Sequence, residues 1–249
     1  MAGERRPWTR KELLVALGLY LRTPFGQISQ RNIEIIRHAA LLNRTPAALS
    51  MKMGNLAGLD SSLERSGLRN ASQADRELWA ELQSDWSATA DAIAEANQAV
   101  GAPFPTNDES QPKSEGQDVI AETKTRRGQA LFRATVLSAY QGRCCITGLA
   151  EPRLLNASHI VPWRDDPRHR LNPRNGLCLS ALHDRAFDRG LIALDTNYRL
   201  LLSSRLTERS DEFVDVSFFQ YEGKQIELPE KLAPDRDFLT VHRQTIFIR

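Results

Sequence analysis

The feature that most constrains the fold is a change of composition near the middle of the chain. Residues 98–123 are rich in Pro, Gly, Ser and acidic side chains, and they lack the regularly spaced apolar residues of a packed element. This composition is typical of a linker. It predicts two domains, one over residues 8–97 and one over residues 124–249.

The first domain is predicted to be all-helical, because apolar residues recur through it at intervals of three and four. Thr9 and Glu12 form a capping-box pattern before the first helix, and Thr45 followed by Pro46 marks the start of the third. One long fourth helix is expected over residues 72–97. The apolar side of the second helix is expected to consist of Ile33, Ile36, Ala40 and Leu41.

The second domain is predicted to mix helices with short strands, so the fold class of the whole chain is α+β. A helix over RRGQALFRATVLSAYQGR precedes short strands at CCITG, RLLNASHIVPW and NGLCLS. A short charged helix, ALHDRAFDRG, is expected to begin after Ser180 and to end at Gly190. A β-hairpin then turns near Thr196 and Asn197, and TIFIR is a candidate final strand.

Charge is concentrated in one part of the chain. The net charge is only +2, but residues 124–209 contain 15 basic and 7 acidic residues, and 14 of the basic residues are Arg. Arg favours bidentate contacts with phosphate, so this segment predicts a polyanionic partner. The alternative is a solvated, Arg-rich surface without a partner.

The remaining bulk features exclude several classes of protein. There is no run of 18 apolar residues and no signal-type stretch at the N-terminus, so we expect no membrane partner and a cytoplasmic location. Cys144, Cys145 and Cys178 contain no CxxC pair. They predict small buried side chains and not a disulfide framework or a structural zinc site.

Three polar residues suggest the chemistry. His159 ends the first main strand, Asn175 opens the second, and His183 lies on the short helix. Two strands packed on one helix can bring all three together. A neutral His can take a proton from water, a divalent ion can stabilise charge on a phosphate, and an amide can orient its neighbours. These are the requirements of phosphodiester hydrolysis.

The same residues carry a family resemblance. CCITG, LLNASHIVPW and LNPRNGLCLSALHDRAFDRGLI resemble the HNH (ββα-metal) nucleases, in particular modules of restriction-type endonucleases, over roughly residues 126–205. The resemblance implies a ββα-metal domain and a single-metal nuclease. It implies that His159 is the general base, that Asn175 braces the loop, and that His183 is a metal ligand.

One position departs from the family pattern. Many HNH enzymes place an Asp or His ligand directly before the general base, where this chain has Ser158. A hydroxyl is a poor ligand for Mg²⁺, which we expect as the cofactor, with Mn²⁺ or another divalent ion as alternatives. Either Ser158 contributes weakly or through water, or another acid does. Asp188 is the preferred candidate, and its alternative role is to pair with Arg185 or Arg189.

Candidate DNA contacts occur in both domains. Arg126, Arg127, Gln129 and Arg133 are candidate phosphate contacts, with helix-surface salt bridging as the alternative. The N-terminal region weakly resembles Myb-like or helix-turn-helix domains. In that reading the third helix enters the major groove, and its candidate contacts are Arg44, Ser50, Lys52 and Asn55. A dimerisation or structural domain is the alternative, because this region is almost neutral.

The sequence therefore favours a metal-dependent endonuclease that acts on double-stranded DNA. A restriction enzyme is the leading hypothesis, and dependence on modified cytosine is a further one. A homodimer is expected, because cutting both strands needs two active sites or one that acts twice. The alternatives are a catalytically inactive HNH-fold regulator, which Ser158 keeps open, and a structure-specific or nicking nuclease.

Overall fold

In a computed structural model, the chain divides into two compact units, residues 1–132 and 133–249. The structure describes residues 6–63, 67–104, 118–208 and 211–249, without the side chains of residues 118–124 and 207. Short helices and two small sheets confirm the α+β fold class. No helix in the described part combines the length and the apolarity that crossing a bilayer requires.

The first unit is built around a helix that is buried on all sides. This helix, α1, is buried from Glu12 to Leu21, and α3, α4 and α5 pack against it. Gly18 allows this packing, since a Cβ at that position would lie 2.5 Å from Cγ2 of Ile93. The helices of this unit are α1 (Arg10–Leu21), α2 (Ile33–Leu41), α3 (Pro46–Ala57), α4 (Gln73–Ser84) and α5 (Trp86–Ala99).

The predicted starts of α1, α3 and α4 are confirmed. Thr9 and Glu12 form the predicted capping box, and the Thr45 side chain caps α3 with Pro46 in its first turn. The expected single helix over residues 72–97 is wrong, because the chain breaks at Asp85. This residue is extended (φ −149°, ψ 92°), and its carboxylate accepts a hydrogen bond from the Ala88 N–H to start α5.

The predicted apolar face of α2 is also wrong. Ile33 is 80% exposed, Ile36 44% and Leu41 43%, and Ala40 is exposed as well. The face turned inward consists of Ile35, His38 and Ala39. His38 can be buried because its Nδ1 is 2.7 Å from the Glu34 carbonyl oxygen and its Nε2 is 2.7 Å from Nη2 of Arg22.

The middle of the predicted linker lies outside the described part of the chain, and both of its ends are helical. Residues 98 and 99 belong to α5, and residues 118–123 belong to a long helix, α6 (Asp118–Ala139). Residues 105–117 lie outside the described part of the chain. The extent of the linker therefore stays a prediction.

The second unit contains two antiparallel strand pairs with helices packed on them. Strands β1 and β2 pair in the register Leu155↔Ser180 to His159↔Gly176, and α7 packs on both. Strands β3 and β4 form the predicted hairpin, against which α10 packs. The elements are β1 (Leu155–His159), β2 (Gly176–Ser180), α7 (Ala181–Asp188), β3 (Ile192–Leu194), β4 (Leu200–Leu202), α8 (Ser204–Thr207), α9 (Glu212–Ser217) and α10 (Arg236–Thr245).

Two of the expected strands in this unit are absent from the described residues. CCITG forms a turn, in which the Gly148 N–H donates to the Cys144 carbonyl at 2.8 Å. TIFIR begins inside α10, and its later residues form no strand, although the Ile248 N–H donates to the Gly190 carbonyl at 2.9 Å. In both cases isolated backbone hydrogen bonds take the place of a ladder.

Candidate active site

The site is built on the β1–β2 pair and on α7. His159 is the last residue of β1, opposite Gly176, and α7 follows β2 directly. Ser180 starts α7 by accepting a hydrogen bond from the His183 N–H. Gly190 closes the helix with φ +68°, and a Cβ there would lie 2.1 Å from the Ile246 carbonyl oxygen. Both ends of this short helix are therefore fixed.

His159 has the properties of a general base. Its Nε2 is 2.8 Å from the Arg170 carbonyl oxygen, so Nε2 carries the proton and the lone pair is on Nδ1. Burial lowers the pKa of His159, and the bond to Arg170 and the charge of Asp184 oppose this shift only in part. The imidazole is consequently neutral at pH 7. Its ring also meets the Trp163 ring edge-on, with centroids 5.6 Å apart.

Asn175 holds the loop that follows β1. Its side chain is fully buried. Its Oδ1 accepts from the Val161 N–H at 2.8 Å, and its Nδ2 donates to the Val161 carbonyl at 3.1 Å. The Asn175 carbonyl also accepts from the Ile160 N–H at 3.0 Å. These contacts are the ones that a loop brace makes, as the resemblance implies.

A cavity of about 460 Å³ opens beside His159. Ser158, Asp184 and Asp188 face it together with His159 and His242. Asp184 and Asp188 lie one turn apart on α7, so their side chains project from the same face of the helix. The rest of the wall is formed by Ala157, Pro162, Trp163, Arg185, Arg189 and Ile246.

The two carboxylates of this cavity make it a candidate cation site. Asp184 accepts a hydrogen bond from Nδ2 of Asn156 at 2.7 Å. Burial and the neighbouring charge of Asp184 raise the pKa of Asp188, and Arg185 and Arg189 oppose this shift. A divalent cation would relieve the repulsion between the two carboxylates. The structure describes no group of three His, Cys, Asp or Glu side chains able to hold a metal. Two carboxylates with water and substrate phosphate are, however, a typical Mg²⁺ environment.

Two polar atoms among the wall residues lack a hydrogen-bond partner within the described part of the chain. They are Oγ of Ser158 and Nδ1 of His242, and both are buried. Orphaned buried polar atoms are uncommon, and a bound water or ion is one explanation for them. Ser158 therefore belongs to the cavity wall, and its hydroxyl is left unsatisfied by the described residues.

His183 is not among the residues that line this cavity. Its Nδ1 is 2.8 Å from Oγ of Ser180 and its Nε2 is 2.9 Å from the Ser217 carbonyl oxygen, so both ring nitrogens are engaged. Its ring packs on Phe218 with centroids 5.1 Å apart, and burial lowers its pKa. This arrangement does not fit the expected role of metal ligand. Successive residues on a helix point about 100° apart, and it is the next residue, Asp184, that faces the cavity.

Sequence reasoning preferred Asp188 to Asp184 as the acidic ligand, and it missed His242. Asp184 could have been found from its spacing of four residues to Asp188, which is the carboxylate pattern of one helix face. His242 carried no such signal, since more than 50 residues separate it from α7.

The predicted phosphate contacts on α6 and the three cysteines do not line this cavity. Nη2 of Arg133 donates to the Leu155 carbonyl at 2.8 Å and so holds the start of β1. Gln129 is exposed on α6, and Arg126 and Arg127 are half-buried. The role of these three in DNA binding stays a prediction. The three cysteines are buried and reduced, and burial raises the pKa of Cys178 to about 12.

In the first unit, two predicted DNA contacts are already paired. Nζ of Lys52 lies 2.8 and 2.9 Å from the two carboxylate oxygens of Asp75, and this pair is buried. Arg44 binds the Glu12 carboxylate and the backbone carbonyls of residues 6 and 7. The expectation that Arg44 and Lys52 contact DNA therefore does not fit the structure. These cations hold the helices together.

The other two candidates of the first unit stay predictions. Oγ of Ser50 donates to the Ala47 carbonyl at 3.1 Å, within its own helix. Asn55 is half-buried and lines a second cavity of about 460 Å³, together with Trp8 and Met51.

The fold and the site define a ββα unit with a neutral His and a pair of carboxylates around one cavity. Residues 144–195 match the family model described as HNH endonuclease, which confirms the resemblance over the two strands and α7. The matched segment contains Ser158, His159, Asn175, Asp184 and Asp188. No curated protein matches the chain.

Proposed function

We propose that this protein is a divalent-metal-dependent endodeoxyribonuclease. One observation carries the proposal: a neutral His159 and the Asp184–Asp188 pair face one cavity, within the segment that matches the HNH endonuclease family. The near-neutral first unit would select the target. A basic segment of 15 cations over residues 124–209 would attract the DNA backbone.

Each residue has a part in this chemistry. Nδ1 of His159 takes a proton from the attacking water, because Nε2 already donates to the Arg170 carbonyl. Asn175 keeps the loop after β1, and hence His159, in place. Asp184 and Asp188 hold a divalent cation, with Mg²⁺ preferred and Mn²⁺ as an alternative. When bound, the cation supplies Lewis-acid stabilisation to the phosphate and to the leaving oxygen.

The bond changes are those of a hydrolysis. The oxygen of water forms a bond to phosphorus, one P–O ester bond breaks, and the departing oxygen receives a proton. His159 is positioned for the first proton transfer. Within this proposal His183 has a structural role, since it fastens α7 to the Ser217 carbonyl.

The biological role proposed is that of a restriction enzyme in the cytoplasm that cuts double-stranded DNA as a homodimer. Two copies would supply the two active sites that a double-strand cut requires. Dependence on modified cytosine is the finer hypothesis. A small, nearly uncharged first unit is compatible with sensing a methyl group through apolar contacts.

Plasmid cleavage by the purified protein tests the proposal. Supercoiled plasmids with and without cytosine methylation are incubated with Mg²⁺, Mn²⁺ or a chelator. We expect cleavage only with metal, and a loss of about 10²–10⁴-fold in rate in His159→Ala. His169→Ala is the matched control, because His169 is an exposed histidine paired with Asp166 in the same unit.

The pattern of substrates separates the alternatives. Cutting of the modified plasmid alone supports a modification-dependent enzyme, and equal cutting of both excludes it. Accumulation of nicked circles supports a nicking nuclease. Intact DNA binding without cleavage under any metal contradicts the nuclease proposal and favours the inactive regulator.

A further inference from the structure

Helix α10 lies outside the segment that matches the family model, yet it contributes a side chain to the candidate active site. His242 is 1% exposed and stacks on Phe187 of α7, with centroids 3.8 Å apart and planes 12° from parallel. Phe187 lies between Asp184 and Asp188 in the helix. His242 and Ile246, one turn later in the chain, both line the cavity.

The hydrogen bonds of His242 fix which nitrogen carries its proton. Nε2 is 3.1 Å from the Phe187 carbonyl oxygen, so Nε2 is the donor and Nδ1 carries the lone pair. The described residues offer no partner to Nδ1. Burial lowers the pKa of His242 to about 4, which keeps the ring neutral near pH 7. The side chain thus presents a buried hydrogen-bond acceptor without a donor.

The chemistry of the proposed cation calls for such an acceptor. Mg²⁺ gives up water reluctantly and is usually held by one or two carboxylates, with water completing its shell. Each of those waters carries O–H donors that need acceptors. The carboxylates of Asp184 and Asp188 are negatively charged acceptors. Ser158 and His242 line the same cavity, and their Oγ and Nδ1 atoms have no partner among the described residues.

We propose that His242 is a positioning residue of the metal centre, whose Nδ1 accepts a hydrogen bond from the hydrated cation held by Asp184 and Asp188. The inference rests on the proposed function, because it requires a divalent cation at the two carboxylates. His242 joins two tasks: its Nε2–H secures the end of α7, and its Nδ1 orients the water shell. Substitution of a residue that is hydrogen-bonded to a metal ligand typically weakens metal binding by about 10–100-fold.

A purely structural role would use only one of the two ring nitrogens of His242. Stacking on Phe187 and the bond to its carbonyl need the ring and Nε2, and neither needs Nδ1. Two substitutions divide these tasks. His242→Gln can place an amide N–H near the position of Nε2 but leaves no acceptor at Nδ1. His242→Asn can place an amide oxygen near Nδ1 but cannot reach the Phe187 carbonyl.

The test measures Mn²⁺ binding to the full chain without DNA, by the electron paramagnetic resonance signal of free Mn²⁺, together with thermal unfolding. We expect His242→Gln to weaken Mn²⁺ binding by about 10-fold or more while Tm changes little. We expect His242→Asn to keep Mn²⁺ affinity within about 3-fold and to lower Tm by a few degrees. His169→Gln should match the wild type in both.

The outcomes distinguish this inference from the proposed function. If Asp188→Asn binds Mn²⁺ as tightly as the wild type does, the metal site itself is wrong and both proposals fail. If Asp188→Asn loses affinity but His242→Gln does not, only the role of His242 fails. Equal losses of affinity in folded His242→Gln and His242→Asn would show that ring packing matters and Nδ1 does not, which also overturns the inference.

Discussion

Two pairs of charged residues, one in each unit, differ in burial and in sign: the first is a buried pair of opposite charges, and the second is a pair of like charges at the surface of a cavity. In the first unit, Lys52 and Asp75 are opposite charges 2.8 Å apart and almost inaccessible. In the second, Asp184 and Asp188 are like charges one turn apart beside an open cavity with two orphaned acceptors. Charge that is compensated within the chain serves the fold. Like charges held together beside a cavity, which Arg185 and Arg189 offset only in part, favour the binding of a cation from outside.

The largest change in stability is expected when the buried ion pair of Lys52 and Asp75 is broken. Lys52→Met leaves the Asp75 carboxylate buried without its partner and should lower the free energy of unfolding by about 3–5 kcal/mol. Denaturant titration measures the change. The double variant Lys52→Met/Asp75→Leu should recover most of the loss, because both buried charges are then gone. A double variant no more stable than the single one would contradict a structural role for the pair.

Removing one charge from the Asp184–Asp188 pair should reduce activity without reducing stability. Asp188→Asn should reduce metal-dependent cleavage by at least about 100-fold, since a ligand of a Lewis-acid cation is lost. Its stability should stay equal or rise, because burial and Asp184 already disfavour the ionised carboxylate in the fold. Rates of plasmid cleavage and denaturant titrations give the two readouts. Cleavage at the wild-type rate would exclude Asp188 from the site.

Acid should destabilise the second unit more than the first. The folded-state pKa of His242 is lowered to about 4 from an ordinary value of 6.5. Between those values the unfolded chain binds more protons, so the free energy of unfolding decreases as pH falls. His242 alone should account for about 2 kcal/mol between pH 7 and 5. The pKa values of His159 and His183 are also lowered, so these residues make the second unit less stable in acid as well. In the first unit, His38 is the one histidine with a lowered pKa.

Hydrogen exchange followed by mass spectrometry can locate this acid effect. Peptides of β1, β2, α7 and α10 should lose protection between pH 7 and pH 5, after correction for the intrinsic exchange rate, before peptides of α1 and α5 do. His242→Gln should make the loss shallower. The same loss in wild type and variant would mean that the burial of His242 is not what sets the acid response.

The contrast between the pairs also explains what the sequence could predict. Local signals predicted β1, β2, α7 and its ends, because Ser180, Gly190 and the strand pattern act over a few residues. The family resemblance placed Ser158, His159 and Asn175 at or beside the site. Which of two adjacent residues, His183 or Asp184, faces the cavity depends on how α7 is rotated against the strands. That rotation is set by packing, which no local pattern encodes.

Long-range contacts account for most of the other errors. The exposed Ile33 and the buried His38 of α2 reverse the expected order of hydrophobic burial, since Arg22 provides the contact that His38 needs. The pairing of Lys52 with Asp75 joins residues of two helices that the sequence showed only as separate charges. Likewise, His242 reaches the site only because α10 returns to the end of α7.

The smallest changes in stability are expected at two buried serines of the second unit, Ser180 and Ser158, which can be compared directly. Oγ of Ser180 is bonded to the N–H and Nδ1 of His183, whereas Oγ of Ser158 has no partner among the described residues. Ser180→Ala removes a helix cap and should lower the free energy of unfolding by about 1 kcal/mol. Ser158→Ala removes an unsatisfied hydroxyl, so stability should stay equal or rise by up to about 1 kcal/mol. Denaturant titrations at pH 7 and Mn²⁺ binding give both readouts, and Ser158→Ala should weaken Mn²⁺ affinity even where it stabilises the fold. A loss of stability in Ser158→Ala equal to that of Ser180→Ala would mean that Ser158 serves the fold and not the cation.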